Sequence, residues 1–257
     1  MMSINRGRLA VPRSGRISSE DLARFCISMP SPYRLEYSDE EIREHAAIVE
    51  RRGGSLAHVE PLLHTSRAGQ WLCIVTDDRP GLLSLLSAAL SAHSLDILTA
   101  KVYCRLRPGS LAEAVDFFGV RAVRSEVDLE LTAGLLSSLE NSIEALLRGE
   151  LSVDALEKRA APSARPRRQS PATAYFDDAA DADILIVQAL DHPGLLLKIT
   201  LTLFREGLTV RRSNVATLGH LARDEFELSE IDGSPLTDAR KTSVIRGVMA
   251  TLSRKGE

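Results

Sequence analysis

The sequence predicts an α+β protein in which one small unit of strands and helices occurs twice in tandem. Residues 78–83 read Asp-Arg-Pro-Gly-Leu-Leu and recur, 113 positions later, as Asp-His-Pro-Gly-Leu-Leu at residues 191–196. A second match joins residues 114–120 to residues 222–228 with a shift of 108 positions, so the second copy has a shorter hairpin. Two copies are too few for a solenoid and indicate duplication of one domain.

Each copy begins with a strand that ends at the Pro-Gly pair, where a helix begins. The strands are predicted at residues 71–76 and 184–190 from their apolar and β-branched residues. Proline and glycine stop a strand, and proline suits the first turn of a helix. The helices that follow are amphipathic. Their apolar faces consist of Leu82, Leu85, Leu86, Ala89 and Leu90 in the first copy and of Leu195, Ile199, Thr202 and Leu203 in the second.

Two further strands and a second helix complete the β-α-β-β-α pattern of each copy. These strands are predicted at residues 95–105, 112–121, 208–217 and 222–230. The pattern needs one more strand to form a split βαβ, ferredoxin-like unit (βαββαβ). For the first copy we expect residues 172–176 to supply it, after a linker at residues 160–171 that is rich in Ala, Pro and Arg. The second copy lacks a clear last strand.

The chain is therefore divided into four parts. We expect a disordered basic tail at residues 1–24, for which a transit peptide is the alternative, and a small helical N-terminal arm at residues 25–69. The first unit, with its linker, takes residues 70–178, and the second takes residues 183–257. The arm contains one predicted helix, residues 39–51, which begins with a capping box of Ser38 and Glu41.

Composition and charge argue against several classes of protein. The 257 residues carry 32 basic and 35 acidic side chains, a net charge of -3, which does not suit a nucleic-acid partner. No apolar run approaches the ~18–20 residues of a membrane-spanning helix. The three cysteines, Cys26, Cys73 and Cys104, are far apart. Their odd number argues against a disulfide framework or a paired-cysteine metal site and predicts a cytoplasmic protein.

The repeat resembles the ACT domain, a small module that senses amino acids. The features in common are the Asp-x-Pro-Gly-Leu-Leu turn, the helix after it, and the strand Leu-Asp-Ile-Leu-Thr-Ala-Lys-Val-Tyr at residues 95–103. Residues 28–33, Ser-Met-Pro-Ser-Pro-Tyr, resemble the junction before the paired ACT domains of the bifunctional PII uridylyltransferase family of bacterial nitrogen control. Residues 170–178 resemble the segment between those two domains. The resemblance covers residues 25–257 and implies two ACT domains in tandem.

The catalytic motifs of that family are missing from this sequence. Gly54 and Ser55 are not followed by the paired acids that would hold magnesium ions, and residues 181–183, the Asp-x-Asp sequence, lack the glycine loop. No His-Asp dipeptide occurs. We expect no enzymatic activity, no cofactor and no metal, since the histidines of the arm also lack ligands at suitable spacing.

The Asp-x-Pro-Gly turn has the chemistry to bind an amino acid. Glycine permits a close approach to the backbone, the helix start offers free N–H groups for a carboxylate, and the aspartate can accept from an ammonium. The alternative is that each aspartate only caps its helix; the resemblance favours ligand contact. The candidate ligand-binding residues are Asp78, Arg79, Pro80, Gly81, Leu82, Asp191, His192, Pro193, Gly194 and Leu195. Second-line candidates on the next strand, for which a solvated face is the alternative, are Thr99, Lys101, Arg212 and Asn214.

The function that the resemblance implies is regulatory. We expect a sensor of glutamine or another small amino acid, linked to nitrogen-status signalling, with a regulated protein partner or a homodimer and without nucleic acid or membrane. The alternatives are an accessory regulator that acts through protein contacts only, and a truncated remnant of a PII uridylyltransferase.

The third strand of each copy supports two further expectations. Asp116 and Asp224 lie on the apolar strand face, where we expect a backbone cap or a buried cation as partner. On the other face the first copy has Val115 and Phe117, where the second has charged residues. We therefore expect the arm, at residues 35–59, or a second chain to cover the first copy there and to leave the second bare.

Overall fold

The computed structural model describes residues 17–65, 67, 69–106, 112–123, 130–157 and 172–253. The described helices are α1 (Ser19–Ser28), α2 (Tyr33–Glu36), α3 (Asp39–Arg52), α4 (Leu82–Ala92), α5 (Ala133–Arg148), α6 (Val153–Glu157), α7 (Leu195–Arg205) and α8 (Asp238–Ser253). The described strands are β1 (Ala57–Pro61), β2 (Gln70–Asp77), β3 (Leu95–Arg105), β4 (Glu113–Ala122), β5 (Thr173–Phe176), β6 (Ile184–Leu190), β7 (Leu208–Leu218) and β8 (Leu221–Glu230). The predicted linker at residues 160–171 lies outside the described residues.

All the described strands form one antiparallel sheet in the order β1-β2-β4-β3-β7-β8-β6-β5. Helices α4, α5, α7 and α8 pack on one face of it and share a single apolar core with the inner residues of both halves. Each half is a ferredoxin-like layer of four strands and two helices. The predicted α+β class with two ferredoxin-like units is confirmed.

The fourth strand of each unit precedes the unit's other strands and helices in the sequence, whereas the prediction placed it after them. The prediction that residues 172–176 complete the first unit is wrong, because β5 pairs with β6 at the far edge of the second unit. In the first unit, β1 occupies the same place beside β2. The short connection from β5 to β6 closes a local hairpin, which costs less loop-closure entropy than a return to the first unit. Among the described residues no strand follows α8. The edge of the second unit that was predicted to have no strand is occupied by β5.

The two units meet through β3 and β7, the strands that follow helices α4 and α7. Residues 99–102 pair with residues 213–216, with Lys101 opposite Asn214. On the helical side, α4 packs beside α7. Because the sheet and the core both continue across this junction, the turns that precede α4 and α7 lie against the opposite unit.

The arm covers the outer sheet face of the first unit, as predicted. Phe117 is fully buried and packs with Tyr33, Tyr37 and His45 of the arm and with Tyr103 of β3. Burial of a Phe side chain contributes roughly 1.5–3 kcal/mol, so this aromatic cluster is a major part of the arm's attachment. The equivalent residues of the second unit, at 223, 225 and 227, stay partly exposed.

The arm contains more structure than the single predicted helix. The capping box of Ser38 and Glu41 is present, and the helix that follows it is α3. However, α1 begins at Ser19, within the stretch predicted as tail, because the Ser18 side chain accepts from the Asp21 amide and caps the helix. Phe25 then anchors α1 by burial in the aromatic cluster.

A buried ion network ties the end of α3 to the sheet. The Arg52 guanidinium donates to Glu113 of β4 at 2.7 Å and to Asp77 of β2 at 2.7 Å. Arg105 of β3 donates to the other oxygen of Glu113 at 2.5 Å. Glu113 is 1% exposed, so both cations compensate a carboxylate that is cut off from water.

Candidate functional site

Both Pro-Gly turns have the same backbone geometry. Gly81 has a φ of 78° and Gly194 a φ of 81°, the left-handed region in which other residues are strained. Each glycine is the N-cap of its helix, and no side chain caps either helix. Asp78 and Asp191 therefore do not cap α4 and α7; Asp78 contacts the Cys104 thiol, and Asp191 lies 3.7 Å from Arg121.

The turn of the first unit lies against the second unit in a small cleft. From the first unit, Asp78, Gly81 and Asp116 line it. The end of α7 and the start of β7, with Phe204 and Val210, form the opposite wall. The cavity volume is about 20 Å³, close to the room that one water molecule needs.

The turn of the second unit forms an equivalent cleft against the first unit. Asp191, Gly194 and Asp224 line it from the second unit, and the first turn of α7 adds residues 195–197. Ser91 and Asp96 line it from the first unit, at the end of α4 and the start of β3. Its volume is about 10 Å³, so this cleft is also nearly closed. A ligand larger than water has to part the two units to enter either cleft.

The buried aspartates of both clefts lack the partners that the sequence led us to expect. Asp116 and Asp224 are each 1% exposed, and neither Asp116 oxygen nor Oδ1 of Asp224 has a hydrogen-bond partner among the described residues. The expected buried cation is not found in the described part of the chain, since the charged neighbours are Asp78 and Asp191, both acids; for Asp116 the backbone of Tyr103 acts against the effect of burial on its pKa.

Burial and these neighbours change the ionisation of both groups. Burial raises the pKa of Asp116 well above its ordinary value, and the charge of Asp78 raises it further. Burial, with a contribution from Asp191, raises the pKa of Asp224 to about 7. Each cleft therefore holds a pair of carboxyl groups that is stabilised by an incoming positive charge.

One cation bridges the units at the second cleft. The Arg121 guanidinium, at the end of β4, lies 2.7 Å from the Asp96 carboxylate and 3.7 Å from that of Asp191. Burial raises the pKa of Asp96, and the hydrogen bond from Arg121 opposes that change. Arg121 thus places a positive charge beside the acids of the second turn.

Two of the predicted turn residues make local contacts. The Arg79 side chain donates to the carbonyl of Leu147, near the C-terminal end of α5, at 2.8 Å. The His192 Nδ1 lies 3.0 Å from the carbonyl oxygen of Pro193. The structure therefore brings the aspartates and glycines to the clefts and directs the Arg79 side chain to a helix end.

The second-line candidates lie apart from both turns, on the opposite face of the sheet. Lys101, Arg212 and Asn214 line an open cleft of about 120 Å³ between the arm and the second unit. Lys101 pairs with Glu36 of the arm at 2.7 Å, and Arg212 pairs with Glu227 at 3.1 Å. Thr99 pairs with Ala216 at the junction of the units. Their role in ligand binding stays a prediction, and the geometry does not join them to the turns.

Sequence reasoning missed Asp96, Arg121 and the wall residues Ser91 and Phe204. Asp96 carried a signal, since it is an acid between two apolar residues at the start of a strand. The other three carried none, because their place depends on how the units pack.

The described residues fulfil neither the requirement for a metal site of three or more ligating side chains nor that for a membrane-spanning helix. In the part of the chain that the structure describes, no group of three or more His, Cys, Asp or Glu side chains is placed to hold a metal ion. No described helix has the length and apolar character that a membrane crossing requires.

Several known proteins are similar in sequence to this chain. An enzyme of Phenylobacterium zucineum, called a bifunctional uridylyltransferase/uridylyl-removing enzyme, is 24% identical over 243 residues, which cover 90% of this chain and 24% of the relative. Enzymes of that name from Streptomyces coelicolor and Psychrobacter are 29% and 30% identical over 72% and 65% of this chain, and 22% and 18% of their own lengths. The chain thus spans a quarter or less of these relatives. No family model matches it.

Proposed function

We propose that this chain is a regulatory protein that binds glutamine or another small amino acid and so reports nitrogen status. The observation that carries the proposal is the buried carboxyl group of Asp224, whose Oδ1 has no hydrogen-bond partner among the described residues, beside the Asp-x-Pro-Gly turn at the boundary between two units. The uridylyltransferase relatives and the ACT-like sequence of the turns support the link to nitrogen signalling.

The chemistry of the clefts suits the two charged groups of an amino acid. The first turn of α7 begins beside Gly194, and N–H groups at a helix start favour an anion such as an α-carboxylate. The carboxyl groups of Asp191 and Asp224 favour an ammonium. The buried Oδ1 of Asp224, which has no hydrogen-bond partner among the described residues, adds an acceptor that the start of α7 does not supply.

Closure of the clefts supplies a mechanism for signalling. A ligand that enters between the units favours a packing in which they are further apart, and its differential affinity sets the shift in population. Arg121, which joins Asp96 to Asp191 across the boundary, is the contact that such a ligand would weaken.

In this proposal the chain itself neither transfers nor removes uridylyl groups. The relatives carry those activities in their name, whereas the sequence here lacks the paired acids and the His-Asp dipeptide of the resembled family. A cytoplasmic location is likewise proposed, from the three widely spaced cysteines.

A second candidate is a regulator that acts through protein contacts only. The small volumes of the clefts, about 10 and 20 Å³, favour it, since neither holds an amino acid without a change in packing.

A thermal-shift screen with the twenty amino acids distinguishes the two candidates. A ligand at 100 times its Kd stabilises the native state by about 2.7 kcal/mol, which raises Tm by several degrees. We expect glutamine or another small amino acid to do so. If none changes Tm, the sensor proposal fails and the contact-only candidate stands.

A further inference from the structure

The two clefts differ at one position that decides whether a ligand can reach the glycine. In the first cleft, the ring of Phe204 lies directly over Gly81. A Cβ built on Gly81 would be 2.5 Å from Cδ2 of that ring and 2.6 Å from Cε2. The Phe204 side chain of the opposite unit therefore occupies the space next to Gly81 that a ligand would need.

In the second cleft the corresponding position is small and polar. The shift of 113 positions aligns Phe204 of α7 with Ser91 of α4, and Ser91 lines the cleft of Gly194. A Cβ on Gly194 would have no atom within 4 Å. No side chain of the opposite unit therefore covers Gly194, although its conformation matches that of Gly81, and the cleft of about 10 Å³ has to widen before a ligand enters.

The charges of the clefts differ in the same sense. The second cleft contains Asp96 from the first unit in addition to its own Asp191 and Asp224. The residue aligned with Asp96 in the other copy is Thr209, which is uncharged. Arg121 pairs with Asp96 at 2.7 Å, so an ammonium group reaches this further acid only by displacing Arg121, and the described residues of the first cleft include no equivalent acid.

We propose that only the cleft at Gly194 binds the amino acid, and that Phe204 fills the cleft at Gly81 in place of a ligand. This inference rests on the proposed function and specifies its site. It predicts one ligand per chain in a protein whose two turns are almost identical in sequence. The chain then senses through its second unit, while the first turn is held by a fixed internal contact.

Exchanging the two wall residues tests this directly by isothermal titration with glutamine, or with the amino acid that gives the largest Tm shift. We expect the wild type to bind one ligand per chain. Phe204→Ser should bind two, because its serine leaves Gly81 uncovered, as Ser91 leaves Gly194 uncovered. Ser91→Phe should abolish binding, because its ring would lie over Gly194. Tyr175→Ser removes an equally exposed ring from β5 (42% exposed, against 41% for Phe204), and Ser137→Phe adds a ring to the surface of α5; both should bind as the wild type does.

Ser91 is 9% exposed, so a phenylalanine there can disturb folding, and circular dichroism has to accompany the titration. Asp224→Asn, an isosteric change, provides the second test and should weaken binding by about tenfold or more. Two equivalents in the wild type, one equivalent in a folded Phe204→Ser protein, or normal binding by Asp224→Asn would each overturn the inference and leave the proposed function standing. No binding by the wild type would instead refute the proposed function.

Discussion

His45 of α3 and Phe117 of β4 lie against each other across the interface between arm and sheet, with 4.2 Å between their ring centroids. Tyr33 holds the imidazole from the other side through a 2.7 Å contact between its hydroxyl and Nδ1. Burial lowers the pKa of His45 to about 3, so the interface contains a neutral imidazole at neutral pH. The arm is thus attached by packing that weakens if the His45 imidazole is protonated.

Phe117→Glu should release the arm. The change removes the central ring of the aromatic cluster and buries a carboxylate, and loss of a buried Phe side chain costs about 3–5 kcal/mol. The matched control is Glu225→Lys, at the equivalent position of the second unit, where the side chain is partly exposed and pairs with Arg223. Its effect should stay within about 1 kcal/mol. Urea unfolding measures both, and equal losses would contradict the asymmetry of the two sheet faces.

Acid should loosen the arm before the rest of the protein. His45 is neutral when folded, with a pKa of about 3, and has its ordinary pKa of 6.5 when unfolded. The unfolded state therefore binds the extra proton below pH 6.5, and stability falls by up to about 1.4 kcal/mol per pH unit as the pH drops toward 3.

Trp71, the single tryptophan of the chain, is buried in the same cluster and reports the change by fluorescence. His45→Gln, which keeps a polar partner for Tyr33 and does not titrate, should flatten the response; an unchanged response would exclude His45 as its cause.

Glu113→Ala should destabilise the protein by about 3–5 kcal/mol, because it leaves two buried guanidinium groups, those of Arg52 and Arg105, without their shared carboxylate. The comparison is Glu144→Ala on α5, which removes an i,i+4 pair with Arg148. Such surface pairs contribute about 0.3–0.5 kcal/mol. Similar losses in urea unfolding for the two variants would show that the buried network does not hold the arm.

Asp224→Asn should stabilise the protein in a way that depends on pH. The folded pKa of Asp224, about 7, lies above the unfolded value of 3.8, so folding favours the protonated form. The contribution of the wild-type carboxyl is fully present below pH 3.8 and is lost as the pH rises to 7, by up to about 1.4 kcal/mol per unit.

The difference in unfolding free energy between Asp224→Asn and the wild type should therefore grow from pH 4 to pH 7 and then become constant. Taking the difference cancels the titration of His45, which both proteins share. Urea unfolding across this range measures it. A difference that is the same at every pH would mean that Asp224 is ionised in the folded protein near its ordinary pKa.

Features that depend on local pattern were accessible from the sequence, and features that depend on packing were not. The Pro-Gly turns and the need to cover Phe117 follow from periodicity and from comparing the two copies. The pairing of β5 with β6 was missed because an apolar strand has the same pattern whichever neighbour it pairs with. The contact of Phe204 with Gly81 could not be predicted, because it depends on the pairing of β3 with β7, which brings α7 of one unit next to the turn of the other.

Calorimetric titration of the wild type and of Gly194→Val examines the claim that an amino acid binds at the second Pro-Gly turn. Gly194 has a positive φ, and no atom lies within 4 Å of the position that a Cβ would take. A valine there would occupy that space and strain the turn. We predict saturable binding of glutamine, or of glutamate or a branched-chain amino acid in its place, by the wild type, and its loss in a variant that keeps its far-UV circular dichroism. No heat of binding with any of these ligands, or equal binding by a folded Gly194→Val protein, would contradict the claim.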